Sequence, residues 1–132
     1  MTTIANEWLN AANDDLLVIE SIIENESITH MVAFHAQQCI EKCFKAVLEA
    51  KEIDVPKIHS LGALYLKISD SFDFHSEEND SFSILKVLDQ LYIDARYPGE
   101  IGLLPNGKPT QMDAQQFHNL AKEIHHKTSS LI

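Results

Sequence analysis

Apolar side chains recur every three or four residues over most of this chain, and this spacing restricts it to a helical fold. The clearest run spans residues 27–52, where the stripe is Met31, Val32, Ala36, Ile40, Cys43, Val47 and Ala50. A repeat of this length marks one face of an α-helix. No segment alternates apolar and polar residues at every second position, which is the pattern of a strand. The sequence therefore predicts an all-α chain.

Capping residues, prolines and glycines divide the pattern into successive helices. We expect helices over about residues 3–25 and 27–52, a third after Ser60, a fourth from Asp80 or Ser81 to a stop before Pro98, and a fifth after a Thr110–Asp113 capping box. Short connections between long helices favour antiparallel packing. The prediction is a four- or five-helix up-and-down antiparallel bundle.

The length of 132 residues suits a single domain, so residues 1–132 are expected to share one core. The longest aliphatic run, Leu16 to Ile19, is far short of the roughly 20 residues that a membrane span requires. The segment from Met1 to Trp8 lacks the basic and apolar regions of a secretory signal. A cytoplasmic protein without membrane association is expected.

The acidic balance limits the partners of this chain. A formal net charge of −10 opposes attraction to a phosphate backbone, so no autonomous binding to duplex DNA is expected. A local cationic pocket remains compatible with this charge. Cys39 and Cys43 lie four residues apart in one helical pattern, and we expect two reduced core thiols there.

The second predicted helix carries a polar face opposite its apolar stripe. That face consists of Gln38, Glu41, Lys42, Lys45 and Glu49. Glu41 and Lys45 have the i,i+4 spacing of an ion pair. The pattern predicts a strongly amphipathic helix whose polar side meets solvent.

Three segments together resemble the HEPN domain. They are the run FHAQQCIEKCFKAVLEAK from Phe34 to Lys51, the His59-Ser60-Leu61 helix start, and YIDARYP from Tyr92 to Pro98. The resemblance covers nearly the whole chain from Trp8 onward, although Ala95 stands where the family more often has threonine. It implies a helical bundle, often dimeric, frequently encoded beside or fused to a minimal nucleotidyltransferase.

The ribonuclease members of that group resemble toxins and carry an arginine followed four to six residues later by a histidine. This chain contains one arginine, Arg96, and the positions from Ile101 to Asn106 hold no histidine. The pair would supply a cation for the scissile phosphate and an acid or base. A non-enzyme is therefore expected.

The candidate ligand site joins the second and fourth helices. We expect Lys42, Lys45 and Arg96 to converge on a nucleotide phosphate, with Gln38 contacting an amide-like edge and Tyr97 stacking on a base. The alternative is that the lysines form a solvated face and that Arg96 neutralises a helix dipole.

No cofactor and no metal site are expected. His118 lies seven or eight residues from His125 and His126, and no carboxylate or thiolate ligand is patterned beside them.

The predicted function is a non-catalytic HEPN-like module that binds a nucleotide-like ligand, a minimal nucleotidyltransferase partner, or both, as a homodimer. Two alternatives stay open: a divergent HEPN ribonuclease of the toxin-antitoxin kind, and a structural oligomerisation bundle.

Overall fold

The structure, a computed structural model, describes residues 3–70, 81–96 and 108–132, with no side-chain description for residues 94–96. The helices are α1 (Ile4–Ile22), α2 (Thr29–Ala50), α3 (Leu61–Ile68), α4 (Ser81–Arg96) and α5 (Gln111–Leu131), and a 3-10 turn, Glu26–Ile28, precedes α2. No strand occurs in these ranges. The predicted all-α bundle is confirmed.

The predicted helix starts are confirmed by their caps. The Ser60 hydroxyl accepts a hydrogen bond from the backbone N–H of Ala63 at 3.2 Å, which satisfies one of the donors left unpaired at the start of α3. Thr110 and Asp113 form a reciprocal capping box in which each side chain accepts from the other's backbone N–H at 3.0 Å. The fourth helix begins at Ser81, as expected.

The first two helices are shorter than the sequence predicts. Helix α1 ends at Ile22, and the backbone N–H of Asn25 closes its last turn by donating to the Ile22 carbonyl. Helix α2 ends at Ala50 because Glu52 takes a left-handed conformation with φ of 59°. The N–H groups of Glu52 and Ile53 then donate to the carbonyls of Glu49 and Leu48, which is a Schellman termination with glutamate where glycine is usual.

Helix α2 is the centre of the bundle. All four other helices pack against it, and the core includes Val32, Ala36, Cys39, Ile40, Cys43, Phe44, Val47 and Leu48, each no more than 2% exposed. Both cysteines are buried and free, as predicted. The other apolar stripes are buried along most of their length. Ile4 and Leu131, at the outer ends of α1 and α5, are 60% and 49% exposed.

Two predictions for α2 are wrong. Its polar face does not meet solvent as a whole, since Glu41 and Lys45 are 5% and 6% exposed. These side chains are buried by tertiary packing, because α1 covers one flank of the polar face while α3 and α4 cover the other. At the helix ends, Met31 is 37% exposed and Ala50 is also exposed, so the predicted stripe is too long.

The direction of α1 follows from the order of its contacts along α2. Asp15 of α1 contacts His35 and Lys42, whereas Trp8, earlier in α1, lies against Lys45, so α1 runs opposite to α2. Trp8 is half-buried and packs on the core. In the described part of the chain no helix has both the length and the apolar character needed to cross a membrane.

Candidate functional site

A buried carboxylate of α1 contacts two basic side chains on the facing side of α2. Asp15 of α1 is 7% exposed. Its Oδ1 lies 2.9 Å from Nδ1 of His35, and its Oδ2 accepts from Nζ of Lys42 at 2.7 Å. We call these three residues the Asp15 cluster. A buried carboxylate is stabilised by such charge-assisted hydrogen bonds, which compensate for its lost hydration.

A second cluster repeats this arrangement on the side of α2 that faces α3. Glu41 Oε2 accepts from Nζ of Lys45 at 3.1 Å, and Glu41 Oε1 lies 3.0 Å from Nδ1 of His59, just before α3. We call Glu41, Lys45 and His59 the Glu41 cluster. The Trp8 ring lies 5.6 Å from the Lys45 ammonium and helps to cover it. The predicted Glu41–Lys45 ion pair is confirmed, but as a buried pair.

Each histidine uses Nδ1 toward its carboxylate, which directs Nε2 away from the cluster. A neutral imidazole that donates through Nδ1 presents Nε2 as an acceptor, and a protonated one presents a donor. The side chain of His59 is 55% exposed, compared with 20% for His35. His59 is therefore the more accessible of the two oriented imidazoles.

Aromatic rings extend the Glu41 cluster along α4. The Tyr92 ring lies 5.6 Å from the His59 ring and stacks on Phe34 of α2 at 5.9 Å, measured between ring centroids. Tyr92 is buried, whereas Phe34 is half-buried. Together His59, Tyr92 and Phe34 form a row of π-faces at the contact between α2 and α4.

Asp89 of α4 holds the start of α3 next to this row. Its carboxylate accepts from the N–H of Leu61 at 2.8 Å, from the N–H of Gly62 at 3.3 Å and from the Ser60 hydroxyl at 3.2 Å. Burial raises the pKa of Asp89, and the nearby Glu41 charge adds to this rise, while the three hydrogen bonds oppose it. Asp89 thus fixes the backbone position of His59 relative to Tyr92.

The predicted ligand residues are placed separately. Gln38 is half-buried, and its amide donates to the Gln37 side-chain carbonyl at 2.8 Å. Lys42 belongs to the Asp15 cluster and Lys45 to the Glu41 cluster, so each lysine is paired with a carboxylate. Arg96 is the last residue of α4, and its side chain lies outside the described residues, as does all of Tyr97.

Backbone geometry locates Arg96 relative to the lysines. Asp89 of α4 lies near Glu41 of α2, and Tyr92, one turn later in α4, stacks on Phe34, which comes earlier in α2. Helix α4 therefore runs opposite to α2. At 1.5 Å per residue, the Arg96 backbone is about 6 Å beyond the Phe34–Tyr92 contact, and Lys42 is about 12 Å away on the other side. The convergence of Arg96 with the lysines stays a prediction, whereas its backbone lies one turn from Tyr92.

Asp15, His35 and His59 are the members of these clusters that the sequence prediction missed. Their partners lie 18 to 27 residues away in sequence, so helical spacing gives no signal for them. His59 precedes the predicted cap Ser60, which indicates a structural position near a helix start but not a carboxylate partner. The available signal was Asp15, an acidic residue at helical spacing from Ala12 and Ile19 on the apolar side of α1.

Two clefts on the described surface lie away from these clusters. One of about 310 Å³ separates α4 from α5 and is lined chiefly by Ile84, Val87, Leu91 and Phe117. Another, of about 680 Å³, lies between the N-terminal end of α1 and the C-terminal end of α2. Neither contains Gln38, Lys42 or Lys45. Among the described residues, no group of three or more His, Cys, Asp or Glu side chains is arranged to hold a metal ion.

The described residues define a class: a small domain of five helices whose central helix takes part in two buried, histidine-linked ion-pair clusters. The family model of the HEPN domain matches residues 5–131, and the chain belongs to that family.

Two solved structures share this fold over at least 98% of their length. TT1696 from Thermus thermophilus is 21% identical with a TM-score of 0.72, and the match covers 99% of this chain and 100% of that one. ST0689, described as an archaeal HEPN homologue, is 23% identical with a TM-score of 0.71 and 98% coverage of both chains. The comparison with curated proteins gives no match. At these identities the two structures establish the fold.

Proposed function

We propose that this chain is a non-catalytic HEPN module that binds a nucleotide-like ligand beside the Glu41 cluster, where α2 meets α4. The observation that carries the proposal is the exposed imidazole of His59, held through Nδ1 by Glu41 and placed against the Tyr92 ring. Aromatic faces stack on bases, and an oriented imidazole offers a hydrogen bond to a polar edge or a phosphate.

The energetics of the central helix support a functional role for its charges. A buried ion pair gains little stability over apolar side chains of similar volume, because both charges lose their hydration. Helix α2 nevertheless carries Glu41 and Lys45 at 5% and 6% exposure in the middle of the bundle. Positions that depart from the rules of core packing are often functional sites.

The groups near the proposed site suit a nucleotide. His59 supplies an exposed ring backed by the buried Tyr92, Gln38 supplies an amide, and Arg96 follows Tyr92 by one helical turn. Arginine is the side chain best suited to bind a phosphate through two parallel hydrogen bonds. We assign Arg96 to the phosphate end of the ligand.

Calorimetry tests the proposal directly. Adenosine 5′-monophosphate and adenosine are titrated into the full chain, and we expect the nucleotide to bind more tightly than the nucleoside. If neither binds, the proposed function fails and the structural oligomerisation bundle becomes the better account. The same samples are incubated with single-stranded RNA, which a non-catalytic module leaves intact.

A divergent ribonuclease is the second candidate, and one observation favours it. A histidine whose Nδ1 is held by a carboxylate while Nε2 faces outward has the arrangement of a general base, and His59 with Glu41 has this geometry. Against it stands the absence from the sequence of the arginine and histidine spacing found in the ribonuclease members. RNA cleavage that disappears in the His59→Gln protein would favour this candidate over ours.

We also propose that the module acts in the cytoplasm as a homodimer and alongside a minimal nucleotidyltransferase. Large apolar side chains such as Leu66, Val87 and Met112 are 68%, 48% and 82% exposed and are available for protein contacts. Light scattering over a range of concentrations measures the oligomeric state, and a monomer throughout would refute the dimer. Isolation of the tagged chain from its own cells tests for the nucleotidyltransferase.

A further inference from the structure

The charges of the two clusters balance when their histidines are neutral. Lys42 is paired with Asp15 at 2.7 Å and Lys45 with Glu41 at 3.1 Å, so neither lysine carries an uncompensated charge. Lys45 is also covered by Trp8, and its side chain is 8% exposed. An anion that enters beside α2 therefore meets two lysines already neutralised by carboxylates.

Histidine protonation is the remaining source of positive charge in the described clusters. His59 is 55% exposed at its side chain and lies beside Tyr92, whereas His35 is 20% exposed and lies on the α1 side. The His59 ring contacts Glu41 of α2 and Tyr92 of α4. Lys45 of α2 shares the Glu41 carboxylate, and Asp89 of α4 accepts from the hydroxyl of the neighbouring Ser60.

We infer that His59 contacts the phosphate of the bound nucleotide and takes up one proton as that phosphate binds. The imidazolium then donates through Nδ1 to Glu41 and through Nε2 to a phosphate oxygen, linking the buried carboxylate to the ligand. The inference rests on the proposed function, because it assigns the phosphate contact within the same site. Lys42 and Lys45 hold the carboxylates in place and do not touch the ligand.

Proton uptake is measured by calorimetry of the full chain at about pH 7 in two buffers of different ionisation enthalpy. The probe is the 5′-phosphate methyl ester of adenosine, whose phosphodiester does not itself titrate near neutral pH. Adenosine is the uncharged control. We expect the ester to bind with uptake of a substantial fraction of one proton, and adenosine to bind with none.

Three variants separate the role of His59 from a merely structural one. His59→Gln keeps a donor toward Glu41 but cannot take the charge, so affinity for the ester should fall at least tenfold more than affinity for adenosine. His59→Lys supplies a permanent cation, so ester binding should persist without proton uptake. His35→Gln removes the matched imidazole of the Asp15 cluster and should leave both affinity and proton uptake as in the wild type.

The outcomes are distinguishable. Ester binding without proton uptake, equally tight in the His59→Gln protein, overturns the inference and leaves the proposed function standing. Loss of uptake in His35→Gln instead of His59→Gln also overturns it, since it moves the titrating group to the Asp15 cluster. If the wild-type chain binds neither the ester nor adenosine 5′-monophosphate, both the proposed function and the inference fail.

Discussion

Nδ1 of His59 lies 3.0 Å from Oε1 of Glu41, and this contact joins the buried centre of α2 to an exposed imidazole. Glu41 is 5% exposed and also accepts from Lys45, so one carboxylate compensates a buried ammonium and orients a surface ring. Stability and the proposed binding site therefore depend on the same side chain.

Replacing Glu41 by Gln should destabilise the fold. The amide cannot compensate the Lys45 ammonium, and removing one partner of a buried pair costs about 3–5 kcal/mol. Chemical denaturation monitored by circular dichroism measures this loss. Glu49→Gln, on the same helix and half-buried, is the matched control and should change the free energy of unfolding by less than about 0.5 kcal/mol.

A double variant separates charge from packing. Adding Lys45→Met to Glu41→Gln removes the orphaned ammonium, so it should recover most of the stability that the single change loses. If the double variant were as unstable as Glu41→Gln alone, the loss would come from packing around α2 and not from the unpaired charge.

Asp89→Asn tests the pH dependence at the start of α3. Burial raises the pKa of Asp89 above its ordinary value of 3.8, so the folded chain holds this proton to higher pH than the unfolded chain does. The group therefore lowers the free energy of unfolding as pH rises from 3.8 through the raised pKa. The Asp89→Asn protein has no carboxyl group to titrate there. Its free energy of unfolding, relative to that of the wild type, should therefore increase with pH across that window.

Urea unfolding of both proteins at several pH values measures the difference. A difference that stays constant from about pH 3 to pH 7 would show that Asp89 titrates alike in the folded and unfolded states.

His118 on α5 provides a second pH test. It is 8% exposed, its Nε2 has no hydrogen-bond partner among the described residues, and burial lowers its pKa below 6.5. The unfolded chain then binds the proton more readily, so this group lowers the free energy of unfolding as pH falls below 6.5.

His118→Leu should raise the free energy of unfolding by about 1 kcal/mol at neutral pH, because an unpaired buried polar atom is removed. The gain should be larger at about pH 5.5, where the wild-type chain must keep His118 neutral to fold. The exposed His126→Gln is the control. An equal gain at both pH values would contradict the assigned direction of the His118 shift.

Arg96→Lys tests the phosphate contact expected at the end of α4. Lysine keeps the charge but lacks the planar fork, so affinity for adenosine 5′-monophosphate should fall by about 1–3 kcal/mol while thermal stability changes little. Lys86→Arg on the exposed face of the same helix is the control and should leave affinity unchanged. Equal nucleotide affinity in the Arg96→Lys protein would leave helix-dipole neutralisation as the account of Arg96.

Local signals were sufficient to predict much of this fold. The Ser60 cap and the Thr110–Asp113 capping box depend on neighbours three residues away, and the Glu41–Lys45 pair depends on one helical turn. Each was therefore readable from spacing. Helix ends were harder to predict. Helix α2 ends at a left-handed Glu52, in a position where glycine is the usual signal.

The burial of the α2 polar face could not be predicted from residue spacing. Helical periodicity separates polar from apolar sides but does not say how many helices surround a given one. Glu41 and Lys45 are buried because α1 and α3 both reach their side of α2. His59 reaches Glu41 across 18 residues of sequence, a contact that only tertiary packing creates.

The most direct test of the proposed function is the map of backbone amide shifts when adenosine 5′-monophosphate is titrated into the ¹⁵N-labelled chain. We predict saturable shifts that centre on Gln38, His59 and Tyr92, with little change in α5. Saturable shifts confined to another surface, such as the cleft between α4 and α5, or no shifts at all, would contradict nucleotide binding at the Glu41 cluster.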